Sequence, residues 1–386
     1  MRKFLPLSLA SALMLLTLIV GAIRVDSIPV LAQDTVGSLP DLSGANIYFS
    51  ETYQEMSQFD RSDAGISRFA GLLRLAGANL FTLEWRKGIP DDADLIVIAN
   101  PSTDIAADNV ARLWTYLQSG GRVLLLADAF DRAGAITKAL PPTTFFQLAW
   151  SDLGLQAAPT VIVREDGTAP LELRETNAQG DVTFEFSGEV PVLAIDFYTR
   201  RVDVSHPITS GLLPLLGAGA EDATPNLNSL FFMGARPLQI DASIQDFSVT
   251  PLVLSDIPNI YAETNYARYA TARYSEYNIG SDSQRGDMIL AAAYEDGDSS
   301  GRMVLIGDGD VIRNGTGFVT APSYSGAFVY PVNVQFALRS VFWLLDSEQA
   351  VIDLPTPGPT ATATITPSPT PSPTPTTVPT ETPTGG

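Results

Sequence analysis

Acidic and amide side chains follow two apolar runs that have the composition of buried β-strands. Asp128 closes the run RVLLLAD, whereas Asp308, Asp310 and Asn314 follow the run MVLIG. Open α/β sheets bind ligands beyond the carboxyl ends of their strands, and Mg²⁺ and Ca²⁺ prefer oxygen ligands. These four residues are therefore a candidate ligand or metal site. The alternative is that Asp308 and Asp310 only stabilise the turn that follows the strand.

A second candidate is the segment 261–285, in which tyrosines are interleaved with arginines. Tyr and Arg side chains anchor protein interfaces, and aromatic rings also stack on sugars. A surface loop without a ligand explains the same composition. The residues proposed for recognition are Tyr266, Arg268, Tyr269, Arg273, Tyr274 and Tyr277.

Nucleophilic catalysis has little support in the sequence. His206 is the only histidine, and its neighbours Asp203 and Ser205 cannot form a Ser-His-Asp triad with it, because adjacent strand residues point to opposite faces. The chain has no cysteine and no G-x-S-x-G motif, which excludes glutaminase chemistry and a nucleophile elbow. We expect a turn histidine, no catalytic residues and no cofactor.

The charge of the chain excludes one class of partner. The sequence has 43 acidic and 23 basic residues, which gives a formal net charge of −20 at pH 7. Such a surface repels the phosphates of nucleic acids, and no basic stripe in the sequence offsets the repulsion. We therefore expect no nucleic-acid partner.

The elements that must position these residues follow from hydrophobic periodicity. The continuous apolar runs Asp94–Asn100 and Arg122–Asp128 are typical of parallel strands covered on both faces. Apolar residues recur at helical spacing in two places: Ile66, Phe69, Ala70 and Leu73, then Val110, Leu113, Trp114 and Leu117. The alternation of strands and helices predicts an α/β domain with a mostly parallel sheet over residues 42–353.

Residues 158–200 interrupt this alternation. Asp166-Gly167 and Asn177–Gly180 are turn signals that separate short β-prone segments. The pattern predicts an antiparallel β insertion. Its predicted strands are Thr160–Arg164, Leu171–Arg174, Val182–Phe186 and Val192–Tyr198.

The N-terminal unit, residues 1–33, predicts export. Arg2 and Lys3 precede residues 4–23, which are uncharged and mostly apolar. That length matches the roughly 20 residues that span a bilayer, so we predict an N-terminal membrane helix. A signal peptide cleaved after Ala32 is the alternative. In both cases the N-terminus is cytoplasmic and the chain beyond Arg24 extracytoplasmic.

Proline and threonine dominate residues 354–386. Proline prevents helix and sheet formation, and the segment has almost no apolar residues to bury. The composition predicts a disordered, extended tail. A glycosylated or cell-wall-threading spacer is the alternative interpretation.

Two regions carry the pattern of a known family. The first comprises Ala93–Pro101, the helix before Gly120-Gly121 and the run RVLLLAD; the second comprises GRMVLIGDGDVIRN, Asn333 and FALRSVFWLL. Together they resemble the exported domain of gliding-motility-type ABC-transporter auxiliary proteins and related uncharacterised membrane proteins. The turn His206-Pro207-Ile208-Thr209 is similar to one in the class I glutamine-amidotransferase-like superfamily.

The resemblance implies a flavodoxin-like, amidotransferase-like sheet without amidase chemistry. Asp128 stands where amidotransferase relatives place their nucleophile, and Asn314 takes the position of a structural asparagine. The chain has the Pro/Thr tail where transporter-linked members have a C-terminal membrane helix.

The sequence therefore predicts a non-enzymatic, extracytoplasmic domain tethered to the cell membrane. It would act as a binding or accessory component at the cell envelope, with envelope proteins, transporter proteins or glycans as partners. One alternative is an auxiliary subunit of an ABC-type transport system. The other is a secreted hydrolase of glycans or esters.

Overall fold

A computed structural model describes most of the predicted domain. The predicted membrane helix 4–23, the site after Ala32 and the tail from Pro355 onward lie outside the described residues. Within the described part of the chain, no helix is long and apolar enough to cross a membrane. The described residues are 39–130, 140–216, 225–244, 248–265, 282–283, 285–321, 327–349, 352 and 354.

The domain is a mixed α/β structure. Its strands are β1 (Asn46–Phe49), β2 (Asn79–Thr82), β3 (Leu95–Ala99), β4 (Arg122–Leu126), β5 (Leu155–Ala157), β6 (Val161–Thr176), β7 (Val182–Ala194), β8 (Asp196–Thr199), β9 (Arg201–Val202), β10 (Leu230–Met233), β11 (Leu238–Ile240), β12 (Ser248–Leu254), β13 (Ile260–Glu263), β14 (Ile289–Glu295) and β15 (Arg302–Ile306). Its helices are α1 (Ser67–Leu75), α2 (Ala107–Gln118), α3 (Thr143–Leu153), α4 (Pro207–Ser210), α5 (Leu213–Leu216), α6 (Pro225–Asn228) and α7 (Pro331–Leu344). Short 3-10 turns occupy Trp85–Lys87 and Asp310–Ile312.

Five parallel strands form one half of the central sheet, in the order β2-β1-β3-β4-β15. The predicted apolar runs 94–100 and 122–128 contain its central strands, β3 and β4. Every residue of β3 is buried, which confirms the prediction of a strand covered on both faces. Residues along β3 alternate between two hydrophobic clusters, with Val97 in one and Ile98 in the other.

Helices cover both faces of the parallel half. Helices α1 and α7 contribute to the cluster that contains Val97, whereas α2 and α3 contribute to the cluster that contains Ile98. The predicted helical faces are confirmed, since Phe69 and Leu73 of α1 and Leu113 of α2 are fully buried. The sheet is therefore a middle layer, and ligands can approach its functional groups only at the strand ends or edges.

The other half of the sheet is antiparallel. Strand β14 pairs antiparallel with β15 and with both β11 and β12, and β11 pairs in turn with β5. The apolar run in β14 predicts burial but not strand direction, because parallel and antiparallel central strands have similar compositions. Strand β9 extends this half through β12.

The predicted insertion is antiparallel, but two long strands, β6 and β7, take the place of the predicted series of short ones. The last predicted strand, Val192–Tyr198, is divided between β7 and β8. Strands β6 and β7 pair from Arg164–Ala194 to Thr176–Val182. Asp166-Gly167, predicted to separate two strands, lies in a register shift between Glu165 and Thr168. A β-bulge accommodates the one extra residue of β6 without ending the strand. Strand β13 pairs with β6 only over Val161–Arg164.

Candidate functional site

Three aspartates converge where β4 and β15 end. Asp128 lies two residues beyond β4, Asp308 lies two residues beyond β15, and Asp310 opens the following 3-10 turn. The parallel register pairs Leu126 with Ile306 and so aligns the two strand ends. Oxygens of the three carboxylates lie within 4.8 Å of one another, and each side chain is at most 2% exposed. The structure thus brings together three of the four proposed ligand residues.

Asp308 and Asp128 accept hydrogen bonds from the surrounding backbone. Asp308 Oδ2 accepts from the Met233 N–H at 2.7 Å, and its Oδ1 accepts from the Asp310 N–H at 2.7 Å. Asp128 Oδ1 accepts from the Phe130 N–H at 3.0 Å. Hydrogen bonds of this kind favour the ionised carboxylate. Two of these bonds close local turns after β4 and β15, and the bond from Met233 joins the end of β10 to the strand ends.

Asp310 has a cationic neighbour. Its Oδ1 lies 3.2 Å from Arg313 Nη1 and accepts from Thr316 Oγ1 at 2.8 Å. One guanidinium can balance only one carboxylate. The charge of Arg313 is therefore not enough to balance Asp128 and Asp308 as well as Asp310. Unpaired charges are costly in a buried site and are reduced by proton uptake or by a bound ion.

Burial raises the pKa of each of the three aspartates and is the largest cause in every case. Repulsion from Asp310 and Asp308 adds to the rise for Asp128, whose pKa lies well above its usual value. The pKa of Asp308 is also well above its usual value, with repulsion from Asp310 as the second cause. Arg313 and Thr316 oppose the rise for Asp310. The cluster therefore retains protons at pH values at which exposed aspartates are ionised.

A set of three buried carboxylates has two chemical options. The carboxylates can share protons, as neighbouring acids do when they cannot all ionise. Alternatively, they can coordinate one hard cation such as Mg²⁺ or Ca²⁺, because the donor atoms are oxygens. Both options lower the negative charge in the interior, and they predict opposite effects of pH on stability.

The segment after β10 covers the aspartates. The Gly234 carbonyl accepts from the Ala129 N–H at 3.3 Å, and the Arg236 N–H donates to the Gly307 carbonyl at 2.6 Å. Gly234 has a φ of +76°, and a Cβ added there would lie 2.4 Å from the Phe130 ring. Residues 233–236 therefore fit closely over the strand ends. A substrate that approached from this side would have to displace this segment.

Asn100 links β3 to the same cluster, and the sequence analysis did not propose it. It has a φ of +55°, a conformation that asparagine adopts more readily than most residues. Its Oδ1 accepts from the Asp128 N–H at 3.2 Å, and its Nδ2 donates to the Phe130 carbonyl at 2.9 Å. An asparagine placed between an apolar run and a proline is the signal that could have indicated this role.

Asn314, the fourth proposed residue, uses its side chain to hold the loop before α1. Its Nδ2 donates to the carbonyls of Asp60 and Ser62 at 3.0 and 2.9 Å, and its Oδ1 accepts from the Arg68 N–H at 3.1 Å. These bonds direct both ends of the amide to the loop and the first turn of α1. This geometry is that of a structural link between β15 and α1.

Glu55 is a further buried acid, in the loop after β1, and was not predicted from the sequence. It is 1% exposed, accepts from the Ser50 hydroxyl, and accepts from the Tyr53 N–H at 2.5 Å. Trp85 Nε1 donates to the same hydroxyl at 2.8 Å. Burial raises the pKa of Glu55, whereas the hydrogen bonds oppose the rise. The loop after β1 is therefore held by polar contacts in the interior.

His206 caps a short helix. Its Nδ1 accepts from the Ile208 N–H at 3.2 Å, and its ring packs edge-on against Trp343 with the centroids 5.0 Å apart. Ser205 Oγ donates to Asp203 at 2.9 Å and not to the histidine. Burial lowers the pKa of His206. Residues 203–206 therefore do not form a catalytic triad.

The residues proposed for recognition follow β13 in the sequence. Tyr266, Arg268, Tyr269, Arg273, Tyr274 and Tyr277 all lie outside the described residues. The preceding strand β13 is described and ends at Glu263. The recognition role of this segment stays a prediction from composition.

A family model described as "ABC-type uncharacterized transport system" matches residues 46–339. The match begins at the first residue of β1 and ends within α7, so it includes the central sheet and the aspartate cluster. The chain belongs to this family. The membership supports the predicted resemblance to ABC-transporter auxiliary proteins. No curated protein shows a significant match to the chain.

Solved structures give weaker likenesses. The mmIFT52 N-terminal domain is 12% identical, with 78% of this chain and 97% of that chain covered and a TM-score of 0.44. A ThuA-like protein from Bacteroides uniformis is 11% identical, with 80% and 94% covered and a TM-score of 0.35. An exo-beta-1,4-mannosidase from an Opitutaceae bacterium is 10% identical, with 81% and 37% covered and a TM-score of 0.29. Likenesses at this level carry no functional inference.

Proposed function

We propose that the chain is a non-catalytic, extracytoplasmic accessory subunit of an ABC-type transport system, tethered to the membrane by residues 4–23. The observation that carries the proposal is the family match over residues 46–339. It favours the transport role, an alternative in the sequence analysis, over a general binding role at the cell envelope.

The arrangement of the carboxyl edge supports a structural role there in preference to catalysis. Ligands of open α/β sheets occupy this edge, and a catalytic group must come within hydrogen-bonding reach of its substrate. In this chain the aspartates are buried under residues 233–236 and are hydrogen-bonded to loop backbone. The edge therefore has the features of an internal anchor for loops.

The parallel half of the sheet supports a flavodoxin-like interpretation of the fold. Its order, β2-β1-β3-β4 followed by β15, corresponds to the flavodoxin-like order 2-1-3-4-5 if β15 is counted as the fifth parallel strand. Membership of the amidotransferase-like superfamily stays a prediction. In that interpretation Asp128 occupies the position of the nucleophile, and the aspartate supports the fold at that point.

Co-purification tests the transport role. The full chain, with an affinity tag after Gly386, is co-expressed with the membrane and ATP-binding subunits of an ABC transporter, which the proposal expects to be encoded beside its gene. We expect both subunits to elute with the chain in mild detergent. An unrelated exported protein with the same residues 1–38 is the control for association through the anchor alone. Equal recovery with chain and control would contradict the proposal.

The predicted topology has a separate test. N-terminal sequencing of the mature protein distinguishes a retained anchor from cleavage after Ala32. We expect Met1 to be retained in the membrane fraction and the domain to be digested by protease added to spheroplasts. Protection of the domain in intact spheroplasts, with digestion only after lysis, would contradict an extracytoplasmic location.

A further inference from the structure

Strands β6 and β7 form a two-stranded ribbon that extends beyond the rest of its sheet. Strand β13 supports β6 only as far as Arg164, whereas β6 and β7 continue to pair with each other up to Thr176 and Val182. Among the described strands, β7 pairs only with β6. We name residues 165–193 the acidic ribbon. No other strand in the described part of the chain pairs with the ribbon beyond Arg164.

The described side chains of the acidic ribbon face solvent. Every side chain described between Asp166 and Glu189 is exposed, except that of Ala169, which is half-buried. An isolated two-stranded ribbon is at best marginally stable in water. The ribbon therefore gains stability from any surface that covers it.

The charged residues of the acidic ribbon are almost all negative. It contains seven acidic residues and one basic residue. At its base, Glu165 pairs with Arg285 and Asp166 pairs with Arg164. Farther out, the register places exposed acidic side chains on one face, with Arg174 opposite Glu185. The acidic members of that face are Glu172, Glu185 and Glu189.

The sequence of the ribbon alternates between polar and apolar residues. Glu172 lies between Leu171 and Leu173, and Glu185 lies between Phe184 and Phe186. Alternation with this period is typical of strands in which one face is covered and the other is solvated. The pattern therefore predicts that another surface covers one face of the ribbon. The ribbon itself projects beyond the described part of its sheet.

We propose that the acidic ribbon docks in a groove of a partner subunit of the transport system. Lys and Arg of the groove meet the face of Glu172, Glu185 and Glu189, and apolar groups of the groove meet the opposite face. The inference rests on the proposed function and names the contact through which it operates. Complementary charge orients protein partners and excludes wrong ones. Anionic lipid surfaces repel this ribbon, and two ribbons stacked through the face of Glu172, Glu185 and Glu189 would place acidic residues against each other.

The test uses the co-purification of the full chain with the membrane and ATP-binding subunits. One variant combines Glu172→Lys, Glu185→Lys and Glu189→Lys, and a second replaces residues 168–190 with an Asn-Gly turn. The matched control combines Asp91→Lys, Asp298→Lys and Glu348→Lys, three exposed acidic residues outside the ribbon. We expect the control to recover as much of the transporter subunits as the wild type does. Both ribbon variants should recover these subunits in amounts about tenfold lower.

Each other result has a defined meaning. If the ribbon variants melt like the wild type and recover the subunits equally well, the inference is wrong and the proposed function stands. If the wild type itself recovers no subunits, both fail. A wild-type dimer in size-exclusion chromatography that both ribbon variants lose would identify a second copy as the occupant. Ribbon-dependent binding to phosphatidylglycerol vesicles would identify the membrane instead. Either result would overturn the proposed partner.

Discussion

The carboxyl edge of the parallel sheet and the acidic ribbon use acidic residues in opposite ways. At the edge, Asp128, Asp308 and Asp310 are buried, close together and hydrogen-bonded to loop backbone. On the ribbon, Glu172 and Glu185 are exposed and spread along a projecting pair of strands. The first arrangement stabilises the domain, whereas the second offers a surface to a partner.

The difference shows where function has to be sought in this fold. The position at which open α/β sheets ordinarily bind ligands is covered by residues 233–236. The acidic ribbon extends beyond its sheet, and among the described strands none pairs with it beyond Arg164. Changes at the edge should therefore affect stability, and changes on the ribbon should affect association. The predictions below test this division.

The largest expected effect is the loss of stability in Asp308→Ala. The substitution leaves the N–H groups of Met233 and Asp310 without their acceptor in the interior. At 1–3 kcal/mol for each unsatisfied group, we expect the free energy of unfolding to fall by about 3 kcal/mol. Urea unfolding followed by tryptophan fluorescence measures the change. The exposed control Asp298→Ala should change it by less than about 0.5 kcal/mol, and equal effects would contradict the account.

A smaller loss is expected for Asn100→Ala. Two hydrogen bonds to the segment 128–130 are removed, and alanine must adopt a φ of +55°. We expect a loss of about 2–3 kcal/mol. Asn100→Gly is the matched comparison, because glycine accepts a positive φ, and it should be about 1 kcal/mol more stable than the alanine variant. Equal stability of the two variants would show that the backbone is not constrained there.

The pH dependence of Asp128→Asn tests whether the buried aspartates retain protons. We call this explanation the proton account. Because the folded protein raises the pKa of Asp128 above 3.8, the unfolded chain loses this proton first as pH rises. The wild type therefore loses stability from about pH 4 up to the folded pKa, and Asp128→Asn lacks this loss. We expect the variant to gain about 1.4 kcal/mol relative to the wild type per pH unit in that range. The measurement is urea unfolding at several pH values.

The same series separates protons from a divalent cation. A bound cation favours ionised carboxylates, so wild-type stability would rise with pH in millimolar Ca²⁺ or Mg²⁺. The proton account predicts the same falling trend with either ion as with a chelator. Calorimetry provides a second check. If it detects Ca²⁺ or Mg²⁺ binding to the wild type but not to Asp308→Ala, the aspartates form a metal site and the proton account is wrong.

The acidic ribbon should contribute least to stability. Replacement of residues 168–190 by an Asn-Gly turn removes mainly exposed described side chains and retains the pairing near Arg164 and Ala194. We expect the free energy of unfolding to change by less than about 1 kcal/mol. Thermal melting and urea unfolding check this. A loss as large as that of Asp308→Ala would show that the ribbon is part of the cooperative core.

The sequence predicted the features that depend on local pattern. Apolar runs located β3 and β4, helical spacing located α1 and α2, and strand ends indicated the three aspartates. What it could not predict depends on contacts between distant segments. The cover by residues 233–236 joins positions about a hundred residues from Asp128 and about seventy from Asp308. The length of β6 and β7 depended on a bulge at Asp166-Gly167 that looks like a turn in the sequence.

Hydrogen–deuterium exchange of the full chain, alone and in complex with the co-purified transporter subunits, tests the division most directly. The account predicts that amides of residues 165–193 become protected in the complex. Amides near Asp128, Asp308 and Asp310 should be protected equally in both states, because their contacts are internal. New protection at the carboxyl edge with none on the ribbon would contradict the account.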